Sequence, residues 1–189
     1  MISDHSKIQE THYYHKEYRK MELKKQLKQD GIAKGLCSQY QGLIDRSQSI
    51  EDLVRLFIRG IDFCIKHNYP TLEFMREHFK GISEPYGGFV DDDIPELRNM
   101  PDVVLNGHCR AFLEYDGYTV ARVVARHNSE GAVNVSERSV VTIDAFDNVK
   151  LNVAVSGNDA KVYVNKYGDA QVECIGQGII VNNHIKNFY

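Results

Sequence analysis

Residues 139–148 read SVVTIDAFDN, residues 149–158 read VKLNVAVSGN and residues 159–168 read DAKVYVNKYG. Each stretch alternates small or branched residues with polar ones and then ends in Asp, Asn, Ser or Gly. Alternation with a period of two marks a strand with one buried face. Working outward, the branched inward candidates are Leu113, Val123, Val133, Val141, Leu151, Val162, Val172 and Ile180, in steps of 10, 10, 8, 10, 11, 10 and 8. Two residues ahead of them stand Ala111, Ala121, Gly131, Ser139, Val149, Ala160, Ala170 and Gly178, and two residues after most of them come Val135, Ile143, Val153, Val164 and Cys174. Asn134, Thr142, Asn152, Tyr163 and Glu173 fall on the opposite, polar face. Asp147-Asn148, Ser156-Gly157-Asn158, Tyr167-Gly168-Asp169 and Gly176-Gln177-Gly178 are turn residues, because they accept positive φ or bond their own backbone.

Eight short strands at this spacing fit two architectures. An antiparallel β-sandwich of hairpins is the alternative. The in-phase column of small residues favours a parallel β-solenoid, in which a cramped corner recurs in every winding, with two repeats and about twenty residues per turn.

The front half has a different period. Ser49 precedes IEDLVRLFIRGIDFCIKHN, offering a hydroxyl cap with Glu51 and Asp52 in the first turn. Leu53, Leu56, Phe57, Ile61, Cys64 and Ile65 follow at spacings of three and four, which predicts one amphipathic helix. Asn68 is placed to end it. Pro70 is placed to open the next helix, TLEFMREHFKG, which carries Leu72, Met75 and Phe79 and closes at Gly81. With Leu36, Tyr40, Leu43 and Ile44 these elements predict a small helical bundle. The expected class is therefore α+β: a helical region over 1–82, a connection over 83–101 with three prolines and the triplet Asp91, Asp92 and Asp93, and a β-solenoid domain over 102–189. The triplet reads as an exposed acidic turn, since a calcium loop needs ligands at alternating positions.

Composition narrows the function. With 189 residues, 42% hydrophobic, 26% charged and a net charge of −3, the chain is globular in composition and is not broadly basic. The first twenty residues lack the apolar run of a signal peptide, and eighteen consecutive apolar residues occur nowhere, so neither export nor a membrane span is expected and a cytoplasmic setting is. Cys37, Cys64, Cys109 and Cys174 show no CxxC spacing and read as small core residues. His67 and His78 lack a zinc spacing and read as surface or capping residues.

Lys16, Arg19, Lys20, Lys24, Lys25 and Lys28 form a basic helix segment, with Tyr13, Tyr14 and Tyr18 as stacking groups. These residues carry the alternative reading of a nucleic-acid-associated protein. An enzymatic reading rests on the adjacent pair His108 and Cys109. Neighbours on a strand point to opposite faces, so a dyad would need His127 or His184, with Asp116, Asp144 or Asp147 as carboxylates. No phosphate-loop, dinucleotide, nucleophile-elbow or zinc motif is present. The expectation is a non-enzymatic interaction or structural module with an unknown protein partner or a second copy of itself, and with no cofactor, no metal and no assigned catalytic residue. Its helices would cap one end of the solenoid.

Two resemblances accompany these patterns. The small-x-Val-x-Val phrases within 103–181, with VSGN at 155–158, resemble the β-helical adhesin-head domains of bacterial surface proteins. That resemblance implies the solenoid fold. The phrases IRGIDFCIKHNYPTLEF at 58–74, YDGYTVARVVARHNS and VVTIDAFDNVKLNV are similar to two-part hypothetical proteins of gut anaerobic bacteria. That similarity implies the layout and no activity.

Overall fold

The computed structural model describes the backbone of residues 4–184 and the side chains of residues 18 and 20–184. Two compact units are formed, Met1–Pro70 and Thr71–Tyr189.

The first unit is helical: α1 (Asp4–Ala33), α2 (Ser38–Arg46), α3 (Ile50–Arg59) and α4 (Ile61–His67). Leu23 and Leu27 of the otherwise polar α1 are buried with Ile44, Leu53, Val54, Phe57, Ile61, Cys64, Ile65 and Tyr69. Gly31 does not end α1. A Cβ there would press on Leu36 and on the Tyr69 ring, so this glycine is required by close packing, and the Tyr69 hydroxyl donates to Leu27 O at 2.7 Å. α1 ends at Ala33, and beyond it Gly35 takes a left-handed φ of 86° while Leu36 N bonds Gly31 O and Gly35 N bonds Ile32 O, the paired bonds of a Schellman motif. Ser49 caps α3 as its sequence predicts, in a reciprocal box with Asp52. The stripe from Leu53 to Ile65 is split into two helices at Gly60, whose backbone leaves the helical range (φ −97°, ψ 22°). Asn68 takes the left-handed conformation after α4.

The second unit opens with α5 (Leu72–His78), capped by the Thr71 hydroxyl, and a 3-10 turn at Glu84–Tyr86. The strands are β1 (Gly88–Val90), β2 (Asp93–Arg98), β3 (Asp102–Asn106), β4 (Arg110–Tyr115), β5 (Val120–Ala125), β6 (Glu130–Val135), β7 (Val140–Ala145), β8 (Lys150–Val155), β9 (Lys161–Tyr167), β10 (Gln171–Ile175) and β11 (Ile179–His184). Odd strands form one sheet in the order β1-β3-β5-β7-β9-β11, and even strands form the other in the order β2-β4-β6-β8-β10. Every pairing among the described strands is parallel. The fold is a parallel β-solenoid with two strands per turn, and the antiparallel sandwich is excluded.

Two readings of the sequence are corrected. Residues 83–101 are not merely a connection: β1 and β2 lie there and make the first turn of the solenoid. Their periodicity is hidden by Pro95 and by an irregular register between Ile94 and Leu97, features tolerated only at a sheet edge. The 8-residue step at Val141 is a misalignment by two. The true partners of Val123 in its sheet are Ile143, Val164 and Val181, and those of Leu113 are Val133, Val153 and Cys174. The small column is therefore two columns. Ala111, Ala121 and Gly131 sit inside strands. Ser139, Val149, Ala160 and Ala170 sit at corners, in a buried series with Cys109 and Ser129. There the backbone ladder runs from corner to corner, Glu130 N to Cys109 O, Lys150 N to Ser129 O and Gln171 N to Val149 O. The inward columns make one continuous core from Phe89 to Ala170. No helix among the described residues is long and apolar enough to cross a membrane.

Candidate functional site

The corners organise every polar group of interest. Gly107, Gly117, His127, Glu137, Asp147 and Gly157, ten residues apart, all have positive φ, between 57° and 88°. Three of the six carry a Cβ and hold a left-handed backbone that disfavours it, at a cost of order 1 kcal/mol each. Stacking supplies the compensation. His127 Nδ1 accepts from Gly107 N at 3.0 Å, and Asp147 Oδ2 accepts from His127 N at 2.8 Å. At the opposite corner Glu137 Oε2 accepts from Gly117 N at 3.1 Å. Each such side chain reaches back one winding and satisfies an amide that the turn leaves exposed. Outside this column runs a second one, with Asn128 Nδ2 beside His108 Nε2 at 3.4 Å and Asn148 Nδ2 donating to Asn128 Oδ1 at 3.2 Å.

At the first winding the acidic triplet is built into the structure. Arg76 of α5 clamps Asp91 with Nε and Nη2 at 2.6 and 3.1 Å, and Asp91 Oδ1 also accepts from His108 N at 2.8 Å. The Arg76 guanidinium holds the Asp91 carboxyl at about 2, well below the ordinary carboxylate range. Asp92 Oδ2 accepts from Val90 N and its Oδ1 faces Lys80 at 3.3 Å. An open cleft of about 300 Å³ lies beside these groups, lined by the triplet, His108, Arg110 and Glu130. Asp91 and Asp92 act as intramolecular acceptors and Asp93 opens β2, so of the acidic turn expected from sequence only the exposure of Asp93 remains.

The residues of the enzymatic reading are dispersed. Cys109 is fully buried, its thiol donates to Asn106 O at 3.2 Å, and burial raises its pKa, the reverse of an activated nucleophile. His108 and Cys109 lie not on a strand but in the turn between β3 and β4, where His108 is exposed with Nδ1 3.6 Å from Asp91. His127 has its Nδ1 occupied and, chiefly through burial, is held neutral down to about pH 4. Asp144 lies in the other sheet, paired with Arg122 at 2.9 Å and with Asn165 at 2.8 Å. Asp116 binds Arg98 and Asn99. His184 stacks on Tyr167, which stacks on Phe146, with centroids 4.3 and 4.5 Å apart. Among the described residues no group of His, Cys, Asp and Glu could hold a metal ion.

In the basic segment, the side chains of Lys16 and Arg19 fall outside the described residues. Lys24 donates to Asp45 O and Ser47 O at 2.8 Å, and Lys28 pairs with Asp45 at 2.6 Å. Both ammonium groups therefore serve the C-terminal end of α2, where free carbonyls attract cations. Lys20 is half-buried and Lys25 exposed.

The remaining candidate is the last winding. Ile175, Ile180 and Val181 are 76%, 52% and 40% exposed, and Val172, Cys174 and Ile179 are only partly covered. Among the described residues the core columns end at this winding. What the fold defines is a parallel β-solenoid with two strands per turn. Comparison with family models, with curated proteins and with solved structures finds no match.

Proposed function

We propose that this protein is a non-enzymatic interaction module whose binding element is the last described winding of the solenoid, formed by β10 and β11. One observation carries the reading: Ile175 and Ile180, 76% and 52% exposed, are large apolar residues on the outward faces of the two sheets in the last described winding. The corner polar groups are spent on one another, winding to winding, which suits a scaffold better than a reacting centre. No disulfide joins the four cysteines, which fits a cytoplasmic, reducing setting.

The test is capture on the immobilised full chain, comparing the native protein with an Ile180→Lys variant. Ile180 is half-exposed, so lysine is accommodated without disturbing the fold. Binding of any protein, including the chain itself, that is lost on Ile180→Lys supports the reading. Binding indifferent to the substitution, or no binding at all, rejects it.

A further inference from the structure

The first winding is built differently from those that follow. β1 pairs with β3 only over Gly88–Val90, and β2 pairs with β4 in two pieces, at residues 93–94 and 97–98. By contrast β4–β6, β5–β7 and β6–β8 pair without a break along the whole strand. β2 fully buries only Ile94, where β4 buries Ala111, Leu113 and Tyr115. Charged side chains stand in for the missing ladder. At one corner Arg76 and Lys80 of α5, one helical turn apart, hold Asp91 and Asp92. At the other, Arg98 pairs with Asp116 at 2.7 Å and lies 3.4 Å from Glu114. Asn99 joins it there, its Nδ2 donating to Asp116 Oδ1 at 2.6 Å and its Oδ1 accepting from Asp116 N at 2.9 Å.

The same segment seals the outer edge of β1. Gly88 N donates to Ser83 O, Val90 N to Asp92 Oδ2, and Lys80 Nζ to Val90 O and Asp91 O at 2.6 and 2.7 Å. The outer edge of β2 carries Asp93, Glu96 and Arg98, together with Pro95 and the irregular register. Charge, proline, bulge and a covering segment are the devices by which an edge strand is kept from pairing. The strand beneath has none of them: β3 reads DVVLN, buried over residues 103–106 and without proline or lysine.

We propose that residues 88–98 form a strap that opens as one unit ahead of the other windings, is released by salt, and bares the edges of β3 and β4. The strap lies at the opposite end of both sheets from β10 and β11 and goes beyond the interaction reading. A segment with a short ladder and little buried apolar surface belongs to the low-stability end of a fold, where local opening precedes global unfolding. Its fastenings are also open to solvent, since the side chains of these ion pairs are 20% to 56% exposed. The screening length shrinks from about 10 Å at about 0.1 M salt to about 3 Å at about 1 M, so salt weakens them. The central windings are held by backbone ladder and a continuous apolar core, which salt does not screen. On opening, Val104 N loses Gly87 O and Arg110 N loses Asp92 O, which leaves an apolar strand edge bare.

Hydrogen exchange on the full chain tests this. The reporters are the amides of Asp91, Asn99, Val104 and Arg110, which bond across the first winding, against those of Phe146 and Ser156 in the central windings. The expected result is one common protection factor for the four reporters, lower than that of the central pair. Raising sodium chloride from about 0.1 to about 1 M lowers it a further two- to fivefold, roughly, and leaves the central pair unchanged. Arg76→Gln lowers it about fivefold at low salt and shrinks the salt response. Arg138→Gln, which removes a pair with Asp159 in another winding, leaves it as in the native chain. Circular dichroism and unchanged protection at Phe146 and Ser156 establish that each variant is folded. Reporters protected as strongly as the central pair overturn the proposal, as do four unrelated protection factors. So does a strap indifferent both to salt and to Arg76→Gln.

Discussion

His127 shows what one residue does at a solenoid corner. Its backbone is left-handed, its Nδ1 accepts from the winding before, and its amide donates to Asp147 in the winding after. Only the neutral imidazole can accept, and burial holds it neutral down to about pH 4. An unfolded histidine takes up its proton near pH 6.5, so between those values the unfolded chain binds more protons. The expected outcome is stability that falls as pH drops from 6.5 to 4 and is flat with respect to this group below 4. His127→Asn keeps an acceptor and tolerates the left-handed turn, so its thermal midpoint should show a shallower fall over that window. Gly131 is set by a different constraint, since a Cβ there would overlap Ala111 O. Gly131→Ala should cost about 1–3 kcal/mol in urea unfolding, the range of an overpacked site. The sequence showed that Gly131 is small. It did not show that His127 and Glu137 share a conformation with Gly107 and Gly117, because neither residue type marks a left-handed turn.

Among elements, the helices follow local rules. Ser49→Ala removes the reciprocal cap of α3 and should lower the urea midpoint by an amount equivalent to about 1 kcal/mol. The linkage of α5 to the first winding is tertiary. Arg76 grips Asp91 across 15 residues, and the depressed carboxyl contributes stability that is complete above its ordinary value of 3.8 and is lost as pH falls toward 2. A double-mutant cycle of Arg76→Ala and Asp91→Asn should return a coupling near 1 kcal/mol at neutral pH that disappears at pH 2. The stripe from Leu53 to Ile65 was legible as helix, but its break at Gly60 was not, since glycine inside an amphipathic pattern is also compatible with a continuous helix. β2 was illegible for the complementary reason: an edge strand needs no clean alternation, and its proline and charges look like a loop.

For the whole molecule, the division lies at Pro70–Thr71 rather than near residue 101. A fragment of residues 102–189 begins at β3, without the sealed edge of β1 and β2, whereas residues 71–189 retain it. At equal concentration the shorter fragment should aggregate and the longer one stay in solution, as read by light scattering. By itself the sequence determined the helical front, the strand period and the Ser49 cap, and favoured a parallel winding of two repeats per turn over a sandwich, because those depend on spacing along the chain and on residue chemistry within a few positions. Only the tertiary structure decided which small residues stack at a corner and which lie in a strand, that Asp91 and Asp92 are anchors, that Cys109 is an inert buried thiol, and that the outer edge of β1 is sealed. Those properties depend on which atoms of successive windings meet, and that contact is made across some twenty residues of chain.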